Sequence, residues 1–499
     1  MNELQYKALF EACDKILLHA SSNLYTKAIG WLHFLNEHPV NLIKYDGVFH
    51  TSYPKRFIKI RSFLFTVKKL IQYKTTAAGW TSSNELPESI DVLLVSHIVS
   101  DEHIGTKQDF YYGNLGDALN ENGFSSAIVL RNQAPGGIGN IAGKWGLETR
   151  TIRIIFDEVL SIGEEWKLRK LLASQIRWLK KLRKESVCDI DRRVIKLAQN
   201  QALSSLSIAN LRFYFQIYRL ILKLKPKSVV VTYEGHSWER LVFAAARKID
   251  EKIRCVGYQH TILFPRQHAL KRSLGCNYDP DVIATTGVGL KDELINSHNY
   301  KCLEVYSVGT HRCENFLWNL DHKYSTINAL GCLVIPDGTY PECLMIFNFA
   351  MSCALKMPNI NFIFRVHPVF DFVDFSKKNP KFKKMPSNIQ ISKNSLGADL
   401  EASAWCLYRG SSVVIQGVIA GLRPLYVCDK GGLSLDPLYK LNSWRKYLAS
   451  TEDFLRAVNS DLIAGKMQLK NDAIEARNYC IEYQEPIQYD DFVNVIIRK

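Results

Sequence analysis

The sequence predicts an α/β protein with two Rossmann-like parallel-sheet domains, an N-terminal helical region and a helical insertion. The run SIDVLLVSHIVS at 89–100 is continuously apolar, as strands covered on both faces are. A short helical pattern ending at Gly123 separates it from a second apolar run, SSAIVL. A new series of apolar runs and helical patterns begins with GCLVI at 331–335. Strands alternating with helices are typical of parallel sheets.

The order of these patterns divides the 499 residues into two domains. We predict that residues 1–320 form the N-terminal domain, which contains the helical insertion near 151–225. Residues 321–499 are predicted to form the C-terminal domain. Ligands of parallel sheets usually bind beyond the carboxyl ends of the strands, so we expect a cleft between the facing loops.

Composition limits the classes of partner. The net charge of +15 attracts nucleic acid, anionic membrane surfaces and phosphate-bearing substrates alike. Because no nucleic-acid-binding signature is present, we expect no nucleic acid partner. The twelve cysteines form no CxxC pair, no apolar stretch is long enough to span a bilayer, and the first residues lack a signal-peptide pattern. These features predict a cytoplasmic protein whose membrane contact is peripheral.

A basic amphipathic helix is predicted at 165–184, where leucines and Ile176 recur at helical spacing among many Lys and Arg residues. One interpretation is a bundle helix with a solvated basic face. The other is a surface that docks on anionic lipid or on a lipid-linked acceptor.

Two turns of the second domain have the features of phosphate sites. In VIPDGTYPEC, Thr339 and Glu342 have capping-box spacing, which places Asp337 and Gly338 beside free amides at a helix start. In NINFIFRVHPVFDF, a buried strand runs into Arg365 and His367, two residues apart and therefore expected on one face. Each also has a structural interpretation, a capped helix in the first case and a satisfied histidine in the second.

A third turn of this kind follows the strand of LYRGSSVVIQG. It offers a glycine turn before a helix, two hydroxyls and a guanidinium. The alternative is an N-cap serine next to an ion-paired arginine. The donor-binding residues predicted here are Arg409, Gly410, Ser411 and Ser412.

The first domain contributes a carboxylate. Glu234, in TYEGHSWER, follows an apolar strand and precedes a glycine, a place from which it could act as a base or a nucleophile. The alternative is a partner of the helix dipole. His260, in GYQHT, ends the neighbouring strand and is predicted to share the site. His97 and His236 are predicted on the acceptor side.

Three anion-binding turns facing a carboxylate indicate a two-domain nucleotide-sugar transferase. The chain has no GxxxxGK[ST] loop and no complete GxGxxG after its first strand, which argues against a P-loop NTPase and a dinucleotide dehydrogenase. Histidine, arginine and helix N-termini can stabilise a phosphate leaving group without a metal, so we expect no metal site and no cofactor.

The motifs PDG…PE, FRVHP and RGSS resemble the C-terminal half of GT-B glycosyltransferases that use CMP-activated acidic sugars, such as bacterial polysialyltransferases and capsule or lipopolysaccharide Kdo transferases. YEGHSWERL followed by GYQHT resembles bacterial surface-carbohydrate biosynthesis proteins. The resemblance covers residues 228–430 and implies that His367 contacts the CMP phosphate. It also implies that Ser411 and Ser412 hold that phosphate or the sugar carboxylate.

The same resemblance implies that Glu234 is the base or nucleophile, although the acid-acid-Gly element of sialyl-type enzymes is Tyr-Glu-Gly here. The expected function is transfer of Kdo or a related nonulosonic acid from a CMP-activated donor to a surface-polysaccharide or lipid-linked glycan, at the inner face of the bacterial inner membrane. The alternatives are a UDP- or GDP-sugar enzyme, a CDP-glycerol transferase, a non-catalytic GT-B scaffold and an RNA-binding protein.

Overall fold

The computed structural model describes most of the 499 residues. The described residues are 1–33, 45–49, 57–72, 75–76, 78–99, 103, 105–133, 145, 151–297, 303–313, 331–367, 370–428, 432–464 and 466–498. The predicted domain boundary at 320 and Pro368 of the HP pair lie outside these residues.

The first domain is built on an eight-stranded sheet with strand order β1-β4-β3-β2-β5-β6-β7-β8. All neighbouring strands are parallel except β1 and β4. Its central strands are buried along their length because helices cover both faces. The strands are β1 (Trp80–Ser82), β2 (Val92–Ile98), β3 (Ser126–Asn132), β4 (Ile152–Phe156), β5 (Ser228–Thr232), β6 (Arg254–Gln259), β7 (Val282–Thr285) and β8 (Glu304–Ser307).

Eleven helices belong to this part of the described chain. They are α1 (Glu3–Leu17), α2 (Leu24–Lys27), α3 (Asp46–Phe49), α4 (Phe57–Gln72), α5 (Leu115–Glu121), α6 (Ile162–Glu185), α7 (Asp189–Gln201), α8 (Ser205–Leu224), α9 (Ser237–Ile249), α10 (His268–Lys271) and α11 (Val288–Asn296). The predicted helical insertion forms α6, α7 and α8, and α8 packs against α9 over the sheet.

The second domain is a six-stranded, wholly parallel sheet with strand order β11-β10-β9-β12-β13-β14. Its strands are β9 (Gly331–Ile335), β10 (Asn361–Phe364), β11 (Ile389–Ile391), β12 (Trp405–Tyr408), β13 (Arg423–Val427) and β14 (Lys446–Leu448). Its helices are α12 (Tyr340–Lys356), α13 (Phe372–Lys378), α14 (Leu396–Glu401), α15 (Val413–Ile419) and α16 (Thr451–Ile463). The predicted fold class, α/β with two Rossmann-like parallel-sheet domains, is confirmed.

The end of the chain returns to the first domain. Helix α17 (Lys466–Tyr483) packs against α15 of the second domain and α11 of the first, and α18 (Tyr489–Ile497) follows it. Phe492 and Ile496 of α18 are buried in one core with Val230 and Val256 of the first sheet. The last helix of the predicted C-terminal domain therefore lies against the first sheet, because its apolar face completes that core.

Candidate active site between the two sheets

A cavity of about 390 Å³ lies between the two domains. The lining residues follow the carboxyl ends of strands in both sheets, where ligands of parallel sheets bind. The set combines residues that the sequence indicates and several that it does not. The lining residues are Glu234, His236, His260, Thr261, Ile262, Phe264, Gln267, Arg312, Asp337, His367, Gly410, Ser411, Ser412, Val413 and Gln484.

Glu234 reaches the cavity because the chain turns sharply after β5. Tyr233 is fully buried, and Gly235 has φ +86°. A Cβ at Gly235 would lie 2.4 Å from the carbonyl oxygen of Ala269. Only glycine fits this positive φ and close approach without strain. The turn therefore fixes where the Glu234 carboxylate projects.

Polar neighbours hold Glu234 as an anion. The His236 ring nitrogen Nε2 lies 3.2 Å from its Oε2. Burial raises the pKa of Glu234, but the hydrogen bond from His236, the charges on His260 and His236 and the Thr261 hydroxyl outweigh it, so the net shift is downward. Burial lowers the pKa of His236, but Glu239 and Glu234 outweigh it and the net shift is upward. Each of the two side chains therefore favours the charged form of the other.

Glu239 supports this pair from beneath. It is buried, and its carboxylate accepts hydrogen bonds from the amides of Glu234 at 2.9 Å and His236 at 2.8 Å. Burial raises the pKa of Glu239 to about 7. Arg240, the next residue of α9, pairs with Asp279 and not with Glu239.

The imidazole of His260 lines the cavity. It is 3% exposed, and neither ring nitrogen has a partner among the described residues. Its ring packs against Tyr111, with centroids 4.3 Å apart. Burial lowers its pKa to about 4, helped by Arg312 and opposed by Glu234. A buried polar group without a partner costs free energy, so a ligand that bonds to it would gain affinity.

His97 lies behind His260 and does not line the cavity. Its Nε2 is 2.7 Å from the Tyr111 hydroxyl, and its Nδ1 is 3.3 Å from that of Thr232. The two histidine rings are 5.9 Å apart between centroids. Of the two histidines predicted on the acceptor side, His236 lines the cavity and His97 does not, because the hydroxyls of Tyr111 and Thr232 bind the His97 ring.

In the second domain, His367 follows β10, and its ring packs against the turn after β9. Gly338 has φ +90°, and a Cβ there would lie 2.6 Å from Cγ of the His367 ring. The Asp337 carboxylate accepts bonds from the Thr339 amide at 2.9 Å and hydroxyl at 3.0 Å. Gly338 therefore gives room to the imidazole.

The expected capping box at this turn is wrong. Thr339 is the N-cap of α12, but its side chain makes no capping bond. The Glu342 carboxylate instead accepts from buried Arg409 at 2.8 Å. This buried charge pair also removes Arg409 from the predicted donor-binding set, since its guanidinium lies behind the cavity wall. The alternative interpretation of this turn, an arginine held in an ion pair, is the one that the structure shows.

Arg365 is also directed away from the cavity. Its guanidinium donates to the buried carboxylate of Asp399 at 2.6 Å and to the carbonyl of Asn394 at 3.0 Å. The prediction that Arg365 and His367 share a face is wrong, because β10 ends at Phe364 and the strand alternation ends with it. His367 alone lines the cavity, and burial lowers its pKa while Asp337 opposes this.

The turn from Gly410 to Ser412 forms another wall. Ser411 is buried and Ser412 exposed. Among the described residues, the amides of Gly410, Ser411 and Ser412 donate to no backbone carbonyl. These amides and the two hydroxyls can all donate to an anion in the cavity.

Sequence reasoning missed Arg312. It follows β8 and donates to the carbonyl oxygen of His260. It is the one Lys or Arg side chain among the lining residues found in the described chain. The rule that ligands bind beyond the carboxyl ends of strands could have identified it, since SVGTHR continues that strand. Among the described residues, no group of three or more His, Cys, Asp or Glu side chains could hold a metal ion.

Comparisons with known proteins find matches among solved structures only. No family model matches the chain, and no curated protein matches it. MurG of Acinetobacter baumannii superposes with a TM-score of 0.48 at 13% identity, covering 82% of this chain and 100% of that one. S. aureus MnaA with UDP gives 0.49 at 11% identity, covering 82% and 96%.

UDP-GlcNAc 2-epimerase from Neisseria meningitidis, bound to UDP-GlcNAc, gives a TM-score of 0.46 at 11% identity, covering 82% of this chain and 98% of its own. Because these TM-scores are below 0.5, the assignment of two parallel-sheet domains rests on the strand order of the two sheets and not on these comparisons.

Proposed function

We propose that the cavity transfers a sugar from a nucleotide-activated donor to an acceptor hydroxyl. One observation carries the proposal: a single cavity collects hydrogen-bond donors suited to a phosphate from the second domain and the Glu234 carboxylate from the first. The donor phosphate and the acceptor would meet between the two sheets.

The second domain supplies the groups for the phosphate. His367, the two serine hydroxyls and the amides of Gly410–Ser412 face one space. Burial keeps His367 neutral at neutral pH, and an anionic phosphate beside it would raise its pKa. The imidazole could then donate a proton to the departing phosphate oxygen. These donors would stabilise the charge that develops on the leaving group.

Glu234 would take the acceptor proton. The acceptor oxygen bonds to the anomeric carbon, the bond from that carbon to the phosphate oxygen breaks, and the nucleotide leaves with the bonding electrons. A carboxylate with a lowered pKa is a weak base for a free hydroxyl. The acceptor oxygen becomes a strongly acidic oxonium once its bond to the anomeric carbon begins to form. The Glu234 carboxylate is a strong enough base for that oxonium, so the proton is transferred late in the step.

For the donor we propose a CMP-activated acidic sugar, Kdo or a related nonulosonic acid. We propose a single phosphate because Arg365 and Arg409 are paired with carboxylates, and Arg312 is the one guanidinium among the described residues that line the cavity. Arg312 would suit the sugar carboxylate. UDP- or GDP-sugars and CDP-glycerol, which carry two phosphates, are the alternatives.

The partner side of the proposal is a surface-polysaccharide or lipid-linked glycan acceptor, met at the inner face of the bacterial inner membrane. In this proposal, exposed basic side chains of α6, such as Lys170 and Lys180, contribute a peripheral membrane contact. No helix of the described chain is both long and apolar enough to cross a bilayer.

Calorimetric titration with CMP, UDP, GDP and CDP-glycerol tests the donor class. We expect CMP to bind tightest and Ser411→Ala to weaken it about tenfold, the loss of one hydrogen bond to a charged group. Tighter binding of a diphosphate ligand would replace the CMP donor, and no nucleotide binding at all would favour the non-catalytic scaffold.

Glu234→Gln tests the chemistry. With mass-spectrometric detection of CMP release, we expect turnover to fall about 100-fold or more while CMP affinity stays close to that of the unmodified protein. Glu121→Gln, an exposed position on α5, is the control and should turn over normally. Full turnover in a folded Glu234→Gln variant would remove the carboxylate from the mechanism.

A further inference from the structure

Helix α4 is oriented with its polar side toward the protein. Ser62 and Thr66, one turn apart, are buried. Arg169 of α6 donates to the carbonyl of Ser62 at 3.0 Å and the hydroxyl of Thr66 at 2.7 Å. Lys69, on the same side, pairs with Glu158. Hydrogen bonds and charge thus hold the helix on the domain, where an ordinary amphipathic helix would bury apolar side chains.

The opposite side of α4 is apolar and faces outward. Ile60, Phe63, Leu64 and Ile71 recur at helical spacing, so they form one stripe. Ile71 is 81% exposed and Leu64 60%. The exposed apolar side chains of the helix are Ile60, Phe63, Leu64, Phe65 and Ile71. Large contiguous apolar surfaces on a folded protein mark a protein or membrane contact.

The start of α6, a helix that contacts α4 through Arg169, also has exposed apolar side chains. Ile162 and Trp166 are exposed, and they lie one turn apart on that helix. Trp166 is three residues before Arg169, the side chain that contacts α4. We use the name outer face of α4 for Ile60, Phe63, Leu64 and Ile71. Tryptophan next to such a face is typical of membrane interfaces, where its ring is apolar and its N–H is hydrated.

The charge beside this face decides what covers it. Arg61 and Lys68 of α4 are exposed, and so are Lys167 and Lys170 of α6. Cations bordering an apolar stripe complement a surface that is anionic outside and apolar beneath, which describes an anionic lipid bilayer. A second copy of a chain with net charge +15 would bring like charges together.

We infer that α4 lies in the interface of an anionic membrane with its outer face inserted among the lipids. The α6 helix contributes charge and Trp166 but is not the inserting element, because its apolar stripe of Leu168, Leu172 and Leu179 is buried in the domain. This inference is independent of the donor chemistry proposed above.

Vesicle co-sedimentation of the full chain tests the inference. We expect binding to vesicles of phosphatidylcholine mixed with phosphatidylglycerol and little to phosphatidylcholine alone. Leu64→Gln with Ile71→Gln should reduce binding about tenfold or more, since two inserted apolar side chains are lost. Arg61→Gln with Lys68→Gln should reduce it about fivefold for each charge removed, through loss of attraction to anionic lipid.

The matched control is Leu355→Gln with Ile463→Gln, two exposed apolar side chains of the second domain, which should bind as the unmodified protein does. All three variants change exposed side chains, and thermal unfolding verifies that they fold. Undiminished binding by the α4 apolar variant, or equal loss in the control, overturns the inference. The inference is also overturned if light scattering without lipid finds the unmodified protein as a dimer and the α4 apolar variant as a monomer. A second copy of the chain would then cover the outer face of α4.

Discussion

His260 links the burial of the cavity to the pH dependence of stability. The ordinary pKa of histidine is 6.5, and burial lowers that of His260 to about 4. Between these values the unfolded chain binds a proton that the folded chain does not. The free energy of unfolding therefore rises with pH across this window, and as the pH falls from 6.5 to 4 it decreases by about 3 kcal/mol for this group.

His260→Gln should flatten this acid-side slope, as measured by urea midpoints at several pH values. His236→Gln is the comparison with the opposite sign. Because the pKa of His236 is raised, the stability it contributes is present below pH 6.5 and is lost as the pH rises through its folded pKa. An unchanged slope in the His260 variant would show that the imidazole is hydrated in solution.

Single residues also show what the sequence could predict about the site. Glu234 and His367 were found because each follows an apolar strand, and strand ends converge at one edge of a parallel sheet. Arg365 and Arg409 follow strands too, yet their partners are 34 and 67 residues away in the chain. A carboxylate so distant in the sequence leaves no local pattern, so the ion pair that it forms with the arginine is seen only in the folded structure.

At the scale of elements, the glycine turn before α12 positions His367. Gly338→Ala should reduce affinity for the preferred nucleotide about tenfold or more, because the new Cβ takes the space of the imidazole. Gly275→Ala is a matched control, since Gly275 also has φ +90° but a Cβ there meets no atom within 4 Å. Both variants carry the same backbone cost, about 1 kcal/mol, which thermal unfolding measures.

Calorimetric titration of both glycine variants separates strain from displacement. If the two alanine variants lost nucleotide affinity equally, the effect would come from backbone strain. The position of the His367 ring would then not depend on Gly338.

Elements differ in how well periodicity predicts them. Strands β2 and β5 were found because continuous apolar runs indicate burial on both faces. Strand β1 has three half-buried residues and no pattern to find. Helix α4 shows an apolar stripe that would ordinarily indicate the buried side. Its orientation follows instead from Arg169 and Glu158, which belong to other parts of the chain.

At the scale of the whole molecule, a buried carboxylate joins the two domains. Glu293 of α11 in the first domain accepts from the Tyr439 hydroxyl of the second and from the Tyr483 hydroxyl of α17, the latter at 2.7 Å. Lys440 of the second domain lies 3.3 Å from the same carboxylate and Lys271 of the first 3.4 Å. Burial raises the pKa of Glu293, but these hydroxyls and cations outweigh it and lower it overall.

The two sheets were predictable because each is formed by a separate series of strands. The contact of Glu293 with the second domain and with α17 was not predictable. Glu293 lies 146 residues from Tyr439 and 190 from Tyr483. Helix α17 carries no apolar periodicity that would reveal contact with both domains. This contact is part of the interface between the two domains whose residues line the cavity.

Glu293→Gln should therefore loosen the domains from one another. An amide in place of the carboxylate loses attraction to two cations and weakens two hydrogen bonds, a cost of about 2 kcal/mol at the interface. In scanning calorimetry we expect one transition for the unmodified chain and two for the variant, with the preferred nucleotide moving them back together because it binds both domains. Glu475→Gln, exposed on α17, is the control and should keep one transition. A single transition in the Glu293 variant would mean that the α18 contact with the first sheet suffices to unite the domains.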